Sequence, residues 1–353
     1  MKNLILPFLL LLTFVFSCTN SDDNETLEKN IQSYDVYVGG VDEFHACYWK
    51  NNQKTLLSGG ENLQGTSITV DQGNIYMLAN NIGKLGGNHV IPAWYFWKNG
   101  NRYNLAEYLN VTPNNMNEHD NLQIWNNMTV ENGNVYFFGV IKNPSTTSTS
   151  DQYQICYWKN GVKTVLENID YYGSFTGCLS VYNNDVYAVT RRNISPSGGI
   201  FNWETVLYKN TVYAPLSNNT FPKNFLKDNS GISIFTLSSN GTPSVKNIIN
   251  NTELTIPASI TPSEIKDIVL DNSDRYFIGS TFYYKNDVLN QISDPNNFTS
   301  IGHFVSKDQN IYMTRYNTAV GGKAVKFYVN NTEMLSLPDV SRGCFNSIFV
   351  VPN

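Results

Sequence analysis

Charged side chains are scarce in this chain, and neither sign dominates. Only 15% of its 353 residues are Asp, Glu, Lys or Arg, and the formal net charge is −5. A nucleic-acid-binding domain would carry a clustered basic surface, so this composition excludes nucleic acid as an expected partner. Histidine is also sparse, with four residues. None has the His-x-His or His-x-x-Glu-His spacing that holds a metal ion, so the sequence predicts no metal site and no cofactor.

Long apolar segments are absent too, with one exception at the N-terminus. Lys2 is followed by an apolar run from Leu4 to Phe16, which is too short to span a bilayer and is typical of a secretory signal. The run ends at Ser17 and Cys18. A small residue followed by Cys at this place resembles the lipobox of bacterial lipoproteins. The resemblance implies cleavage before Cys18 and lipidation of that residue, and an ordinary signal peptide with a chance cysteine is the alternative.

The remaining chain divides into a tether and one domain. Residues 19–33 are polar, acid-rich and too poor in apolar side chains to fold. We therefore interpret 1–17 as a signal peptide, 18–33 as an acylated Cys with a flexible tether, and 34–353 as the folded domain. Residues 21–23 (Ser-Asp-Asp) resemble the acidic export signal of surface-displayed lipoproteins in some diderm bacteria. We expect an outer-membrane lipoprotein, held to the membrane by its lipid anchor only, and the acidic motif favours display at the cell surface.

A short pattern recurs seven times in the domain, at a period of roughly 40 to 50 residues that is typical of a β-propeller. Most copies have an Asn/Asp-Val/Ile-Tyr strand followed by an aromatic-Lys-Asn turn, which ends in Gly in two copies. The repeated aromatic residue beside the turn favours packing between blades. The copies begin at Asp35, Asn74, Asn134, Asp185, Gly231 (a degenerate copy), Asp274 and Asn310.

Apolar segments between the copies supply one more strand each, so every unit predicts four strands, named a to d from the axis outward. The first unit lacks a strand a, whereas residues 344–351 form an apolar strand with no following unit. We therefore predict an all-β fold, a seven-bladed β-propeller of four-stranded antiparallel blades closed by the C-terminal strand, which leaves no long sheet edge exposed. The repeats resemble those of uncharacterised propeller-like bacterial surface lipoproteins, a resemblance that implies no known activity.

The four cysteines of the domain are predicted to be free, buried thiols. Cys47 and Cys156 fall in strands c, whereas Cys178 and Cys344 fall in inner strands. Strands a and c of one blade are roughly 9 to 10 Å apart, and a disulfide requires Cα atoms within roughly 7 Å.

Binding residues are expected on one face of the ring. The a–b and c–d turns are short, whereas the b–c and d–a connections are long and share the opposite face, which we call the long-loop face. Insertions in a repeat array often mark the binding face. Aromatic rings there could stack on polar ligands, and guanidinium groups could grip carboxylates or phosphates. Pinning of their own loops, carbonyl contacts and salt bridges are the alternative roles. The candidates are Trp94, Trp125, Tyr171, Arg191, Trp203, Arg315 and Tyr316.

Catalytic candidates are few. The acidic residues of the long connections recur at no fixed blade position, so no pair for glycosidic cleavage can be named. His303 is the one catalytic candidate, because it stands near the start of an inner strand whose side chains can reach the mouth of the central channel. A hydrogen-bonded channel histidine without a catalytic role is the alternative.

These features favour a non-catalytic, surface-tethered, monomeric module that binds a glycan or a protein ligand through the long-loop face. Two alternatives remain. An extracellular polysaccharide hydrolase or lyase on a propeller scaffold would show His303 with an acid, or a carboxylate cluster, at the channel mouth. A scaffold subunit of an outer-membrane assembly would show an exposed apolar patch of several hundred Å².

Overall fold

The computed structural model describes residues 33–81, 94–111, 123–145, 152–170, 177–193, 203–218, 220–228, 230–319 and 324–353. These residues are almost entirely strand and turn. Their helices are one short α-helix, α1 (Leu105–Tyr108), and one 3-10 helix (Pro262–Glu264). None of the helices in this part of the chain has the length and apolar content of a membrane span.

The strands, in chain order, are β1 (Tyr34–Asp42), β2 (His45–Lys50), β3 (Gln53–Glu61), β4 (Leu63–Asp71), β5 (Asn74–Asn81), β6 (Trp94–Lys98), β7 (Asn101–Asn104), β8 (Gln123–Glu131), β9 (Asn134–Lys142), β10 (Tyr153–Lys159), β11 (Val162–Ile169), β12 (Gly177–Tyr182), β13 (Asp185–Asn193), β14 (Trp203–Lys209), β15 (Val212–Asn218), β16 (Thr220–Asp228), β17 (Gly231–Ser238), β18 (Pro243–Asn247), β19 (Asp267–Asp271), β20 (Asp274–Ile278), β21 (Phe282–Lys285), β22 (Val288–Gln291), β23 (Phe298–Lys307), β24 (Asn310–Asn317), β25 (Val325–Val329), β26 (Thr332–Leu337) and β27 (Cys344–Pro352).

These strands form seven antiparallel sheets, which are the blades of a propeller. Blade one has the order β27-β1-β2-β3, blades two, three and four are β4–β7, β8–β11 and β12–β15, blade five is β16–β18, and blades six and seven are β19–β22 and β23–β26. The inner strands contact one another in the order β27, β4, β8, β12, β16, β19, β23 and back to β27. The predicted seven-bladed ring and its closing strand are therefore confirmed.

Closure depends on the C-terminal strand. β27 pairs with β1 from Tyr34↔Pro352 to Val41↔Cys344, with one bulge at Gly39 and Gly40. A Cβ atom on Gly40 would lie 2.1 Å from the Cys344 carbonyl oxygen, so the close approach at the bulge requires glycine. The first blade thus gains its inner strand from the far end of the chain.

Blade five has three strands, not the four predicted for every unit, and its repeat is the degenerate one. Beyond β18 only a single bridge, between Lys246 and Glu253, remains of a fourth strand. Two backbone hydrogen bonds hold it, from the Asn247 amide to the Thr252 carbonyl (2.7 Å) and from the Leu254 amide to the Val245 carbonyl (2.8 Å).

The other blades explain why the sequence pattern recurs. In blade three, Asn160 has a positive φ of 49°. Its Oδ1 accepts a hydrogen bond from the Val135 amide (2.9 Å), and its Nδ2 donates to Asn134 Oδ1 (2.8 Å). This Asn clasp joins the c–d turn to the start of strand b. The same pair of bonds is made by Asn51, Asn99, Asn210, Asn286 and Asn330.

Apolar clusters lie between neighbouring blades. Trp158 is fully buried against Phe96 and Phe137, between blades two and three. The repeated aromatic residues beside the c–d turns are therefore core residues, as predicted. The four cysteines occupy the predicted strands and are free, and burial raises the pKa of the Cys47 and Cys156 thiols to about 12.

Candidate ligand site in the central channel

Six inner strands place a side chain at one height along the channel. The height is counted from the a–b turn, where the last inner residue pairs with the first residue of strand b. In blade six Asp271 pairs with Asp274, and Asp267 lies four residues earlier. The side chains at this height, which we call the channel ring, are Ser347, Ser67, Cys178, Asn224, Asp267 and His303. The equivalent residue of β8 is 127, whose side chain is outside the described residues.

Several hydrogen-bonding atoms of the ring have no protein partner. Ser67 Oγ, Ser347 Oγ and Asn224 Oδ1 are buried without a hydrogen bond among the described residues. An unsatisfied buried polar atom costs roughly 1–3 kcal/mol, so native structures contain few of them. Three at one height make the ring a candidate ligand site. Of the other such atoms, Tyr76 OH, Tyr276 OH and Tyr312 OH belong to the repeated tyrosine of strand b, and Trp158 Nε1 and Arg191 Nε lie elsewhere between blades.

Asp267 links blades five and six. Its Oδ1 accepts hydrogen bonds from the Ile268 amide (2.8 Å) and from Asn224 Nδ2 (3.3 Å). Desolvation raises the pKa of this carboxyl, and the amide bond, Asn224 and the charge of Lys223 oppose that rise. The site therefore favours the neutral carboxyl more than water does.

His303 is the neighbour of Asp267 around the ring, one blade further on. Its backbone amide donates to Thr314 Oγ1 (2.8 Å). The side chain is exposed, yet desolvation by the surrounding protein lowers its pKa. A side chain on a channel wall combines these two properties, because solvent reaches it while the surrounding protein still desolvates it. In the described part of the chain, no hydrogen bond joins the imidazole to Asp267.

A stack of three side chains lies nearer the long-loop face, between blades four and five. The Arg191 guanidinium carbon is 4.9 Å from the Trp203 ring centroid and 3.9 Å from that of Phe221. Arg191 is two residues beyond Val189, the partner of Cys178 in the ring. Desolvation lowers the pKa of Arg191, and Trp203 is half-buried. We call these three residues the rim stack; cation–π contacts hold its arginine in place.

The remaining sequence-predicted residues are not members of the ring or the stack. Trp94 is buried in the cluster between blades two and three. Arg315 is buried over the Tyr328 ring (4.2 Å), its Nε donates to Met313 Sδ (3.0 Å), and desolvation lowers its pKa. Tyr316 packs partly buried between blades seven and one. Their binding roles remain predictions. The Trp125 side chain and Tyr171 are outside the described residues, as is Cys18.

Two acids of the outer strands are already neutralised by one arginine. Arg192 pairs with Glu167 (2.6 Å) and Glu204 (2.9 Å), and it also donates to Tyr213 OH (2.7 Å). The Tyr208 hydroxyl donates to Glu167 as well. This network links blades three and four and is structural. Elsewhere in the described chain, no group of three or more His, Cys, Asp or Glu side chains is placed to hold a metal ion.

The sequence identified His303 in the ring and Arg191 and Trp203 in the rim stack. It missed the other residues of the ring. Ser67, Asn224, Asp267 and Ser347 include three residue types among four positions, so no motif marks them. Counting four residues back from each a–b turn would have found them.

Comparison with known proteins supplies neither a family nor a function. No protein-family model and no curated protein matches the sequence. The β-propeller domain of the trilobed protease from Pyrococcus furiosus, described as having an open velcro topology, has a TM-score of 0.49 at 9% identity, covering 85% of this chain and 91% of that one. Acylaminoacyl peptidase from Pyrococcus horikoshii has a TM-score of 0.49 at 11% identity, with 87% and 51% covered.

A sialidase from Trypanosoma rangeli has a TM-score of 0.42 at 10% identity, with 84% of this chain and 55% of that chain covered. The chain thus spans about half the length of the peptidase and the sialidase.

Proposed function

We propose that the protein is a non-catalytic binding module that takes a glycan at the long-loop end of its central channel. The observation that carries the proposal is the set of unpaired hydrogen-bonding atoms at one height of the channel ring. A ligand that supplies partners for Ser67, Asn224 and Ser347 would satisfy groups that the fold leaves unsatisfied.

The chemistry of the ring suits a neutral, hydroxyl-rich ligand. Desolvation raises the pKa of Asp267 and lowers that of His303, so both groups are biased toward their uncharged forms. A neutral carboxyl, a neutral imidazole, a carboxamide and two hydroxyls can each donate or accept hydrogen bonds with sugar hydroxyls. Trp203 contacts Arg191 and packs against the cluster between blades three and four, and the part of this half-buried side chain that stays exposed could contact a sugar ring.

The cellular setting of the proposal follows from the N-terminal sequence. Cleavage before Cys18 and lipidation of that residue would tether the propeller to the outer membrane, and the acidic residues after it favour the cell surface. The polar segment 19–33 would let a monomeric domain reach ligands away from the bilayer.

A glycan array followed by calorimetry tests the binding function. Replacing Asn224 or Trp203 by Ala should weaken binding of a positive glycan by about 1–3 kcal/mol, as expected for buried anchors. Val162→Ala is the control, because Val162 is 70% exposed on an outer strand and should leave affinity unchanged. Unchanged affinity in both site variants would remove the channel from consideration.

One observation favours a polysaccharide hydrolase or lyase as a second candidate. Asp267 and His303 lie at the same height on neighbouring inner strands, which places an acid and a base at one end of the channel. Incubation of each bound glycan with the protein, followed by product analysis, distinguishes the two functions. Turnover that is lost in both His303→Ala and Asp267→Asn would establish catalysis, whereas binding without products supports the non-catalytic module.

A further inference from the structure

Two departures from the repeat lie side by side on the short-turn face, opposite the proposed glycan site. The second residue of the repeat is aliphatic in the other blades and packs against the preceding blade, as Val135 does. In blade six this residue is Arg275, and the preceding blade is the one whose fourth strand is reduced to a single bridge. Departures from a regular sequence–structure pattern occur most often at functional sites. Arg275 and the missing strand of blade five are two adjacent departures that border one space, and this indicates a ligand site.

The shared space is a cavity of about 160 Å³ between blades five and six. Arg275 enters it from blade six, and Asp228 and Glu253 enter from blade five. Among the described residues, Arg275 and Glu253 make no ion pair and no side-chain hydrogen bond. Asp228 Oδ1 accepts from the Ser230 amide (2.8 Å) and Ser230 Oγ (2.6 Å), which fixes the carboxylate and leaves its second oxygen available.

The cavity is small, and three apolar side chains contribute to its mostly polar lining. Val245, Leu254 and Leu270 line it together with the hydroxyl-bearing Ser233. The volume corresponds to about five water molecules, well below the roughly 300 Å³ at which drug-sized pockets begin. The part of a ligand that the cavity encloses must therefore be small, and it can include a short apolar portion.

We propose that this cavity binds a small zwitterion of the α-amino-acid type. Arg275 would grip the ligand carboxylate, since a guanidinium presents two parallel donors to both oxygens. The carboxylates of Asp228 and Glu253 would accept from the ammonium group, and the three apolar side chains of the lining would contact a short side chain. A simple anion would meet two like charges, and a simple amine would leave Arg275 unpaired. The cavity is independent of the channel ring, so this proposal stands or falls separately from glycan binding.

Isothermal titration of the purified protein with L-alanine, L-serine and L-leucine tests the proposal. At least one should bind saturably, and propionate and ethylamine, which each lack one charged group, should bind about tenfold more weakly or worse. Arg275→Val should lose at least that factor while keeping the thermal midpoint, because valine is the residue that Val36, Val135 and Val186 place at the same position. Glu253→Gln should weaken binding and removes no bond within the described structure.

Three results would overturn the proposal: no saturable binding of any of the three amino acids at millimolar concentration, wild-type affinity in Arg275→Val and Glu253→Gln, or propionate binding as tightly as L-alanine.

Discussion

At the scale of single residues, the repeated asparagine of the c–d turn has two roles that no other residue combines. It adopts a positive φ, which asparagine tolerates better than most side chains, and its amide bridges two strands. Aspartate at this position could accept the backbone hydrogen bond but could not donate, and glycine could do neither. The recurrence of asparagine therefore has a structural cause and carries no information about ligands.

Asn160→Ala should lower the free energy of unfolding by about 2 kcal/mol more than Asn132→Ala, because about 1 kcal/mol is expected for each lost side-chain hydrogen bond. Asn132 is the matched control: its φ of 51° is close to the 49° of Asn160, but its side chain makes no hydrogen bond in the described structure. Urea denaturation measures both values. Equal losses in the two variants would show that backbone strain, not the clasp, explains the asparagine.

His303 should make stability dependent on pH. Desolvation lowers the imidazole pKa in the folded protein from its ordinary value of 6.5. Between the folded pKa and 6.5, the unfolded chain binds more protons than the native protein, so stability falls as the pH drops through this window. Asp267 acts in the opposite sense, because its pKa is raised in the folded protein. The folded protein therefore loses stability as the pH rises from 3.8 to the raised pKa of this carboxyl.

The measurement is the thermal midpoint of the wild type and of His303→Gln at several pH values from neutral to mildly acidic. The wild-type midpoint should fall relative to the variant as the pH decreases, because glutamine cannot take up a proton. Parallel curves would contradict a desolvated imidazole at this position.

At the scale of elements, the sequence was sufficient to predict strands b, c and d. It was not sufficient to show which side chains of the inner strands a lie at one height along the channel. The recurring residues lie in strands b and c and in the turn to d. They are the clasp asparagine, the aromatic residues and the Lys over the strand-b tyrosine, as Lys159 lies over Tyr136 (5.7 Å). These residues recur because each blade needs the same turn and the same packing against its neighbour. The ring positions carry mostly different residues, so no motif singles them out, and their common height is recognised only by counting back from each a–b turn.

The C-terminal strand is the element on which the ring depends. Deleting residues 343–353 would remove every partner of β1 on the axial side and leave unpaired backbone groups on two sheet edges. We expect loss of cooperative unfolding, or aggregation, in this variant. Deleting only residues 352–353 is the control, since the pairs from Asp35↔Val351 inward remain. A normal unfolding midpoint in the longer deletion, measured by circular dichroism, would refute closure by β27.

At the scale of the whole molecule, residues that recur in the blades have structural roles, whereas the proposed sites use residues that depart from the repeat. Residues that recur in most blades, such as the clasp asparagine and Trp158, form turns and the packing between blades. The proposed sites use residues that differ between blades, at one height of the channel and between blades five and six. Exposed large apolar side chains are spread over the outer strands of different blades, for example Leu56, Val162, Val212 and Val288.

The proposed membrane location of the molecule depends on Cys18, which is outside the described residues. If the apolar run from Leu4 to Phe16 is a lipoprotein signal, the mature protein begins at Cys18 and carries acyl chains there. Mass analysis of protein extracted from membranes should then show a diacyl adduct on this residue. Cys18→Ser should release the protein from the membrane fraction, whereas Thr19→Ala, one residue along the same tether, should not. Because one acyl chain gives only marginal membrane binding, the expected anchor requires two or more. Recovery of unmodified, soluble wild-type protein would contradict the anchor and leave an ordinary secretory signal as the explanation of the N-terminus.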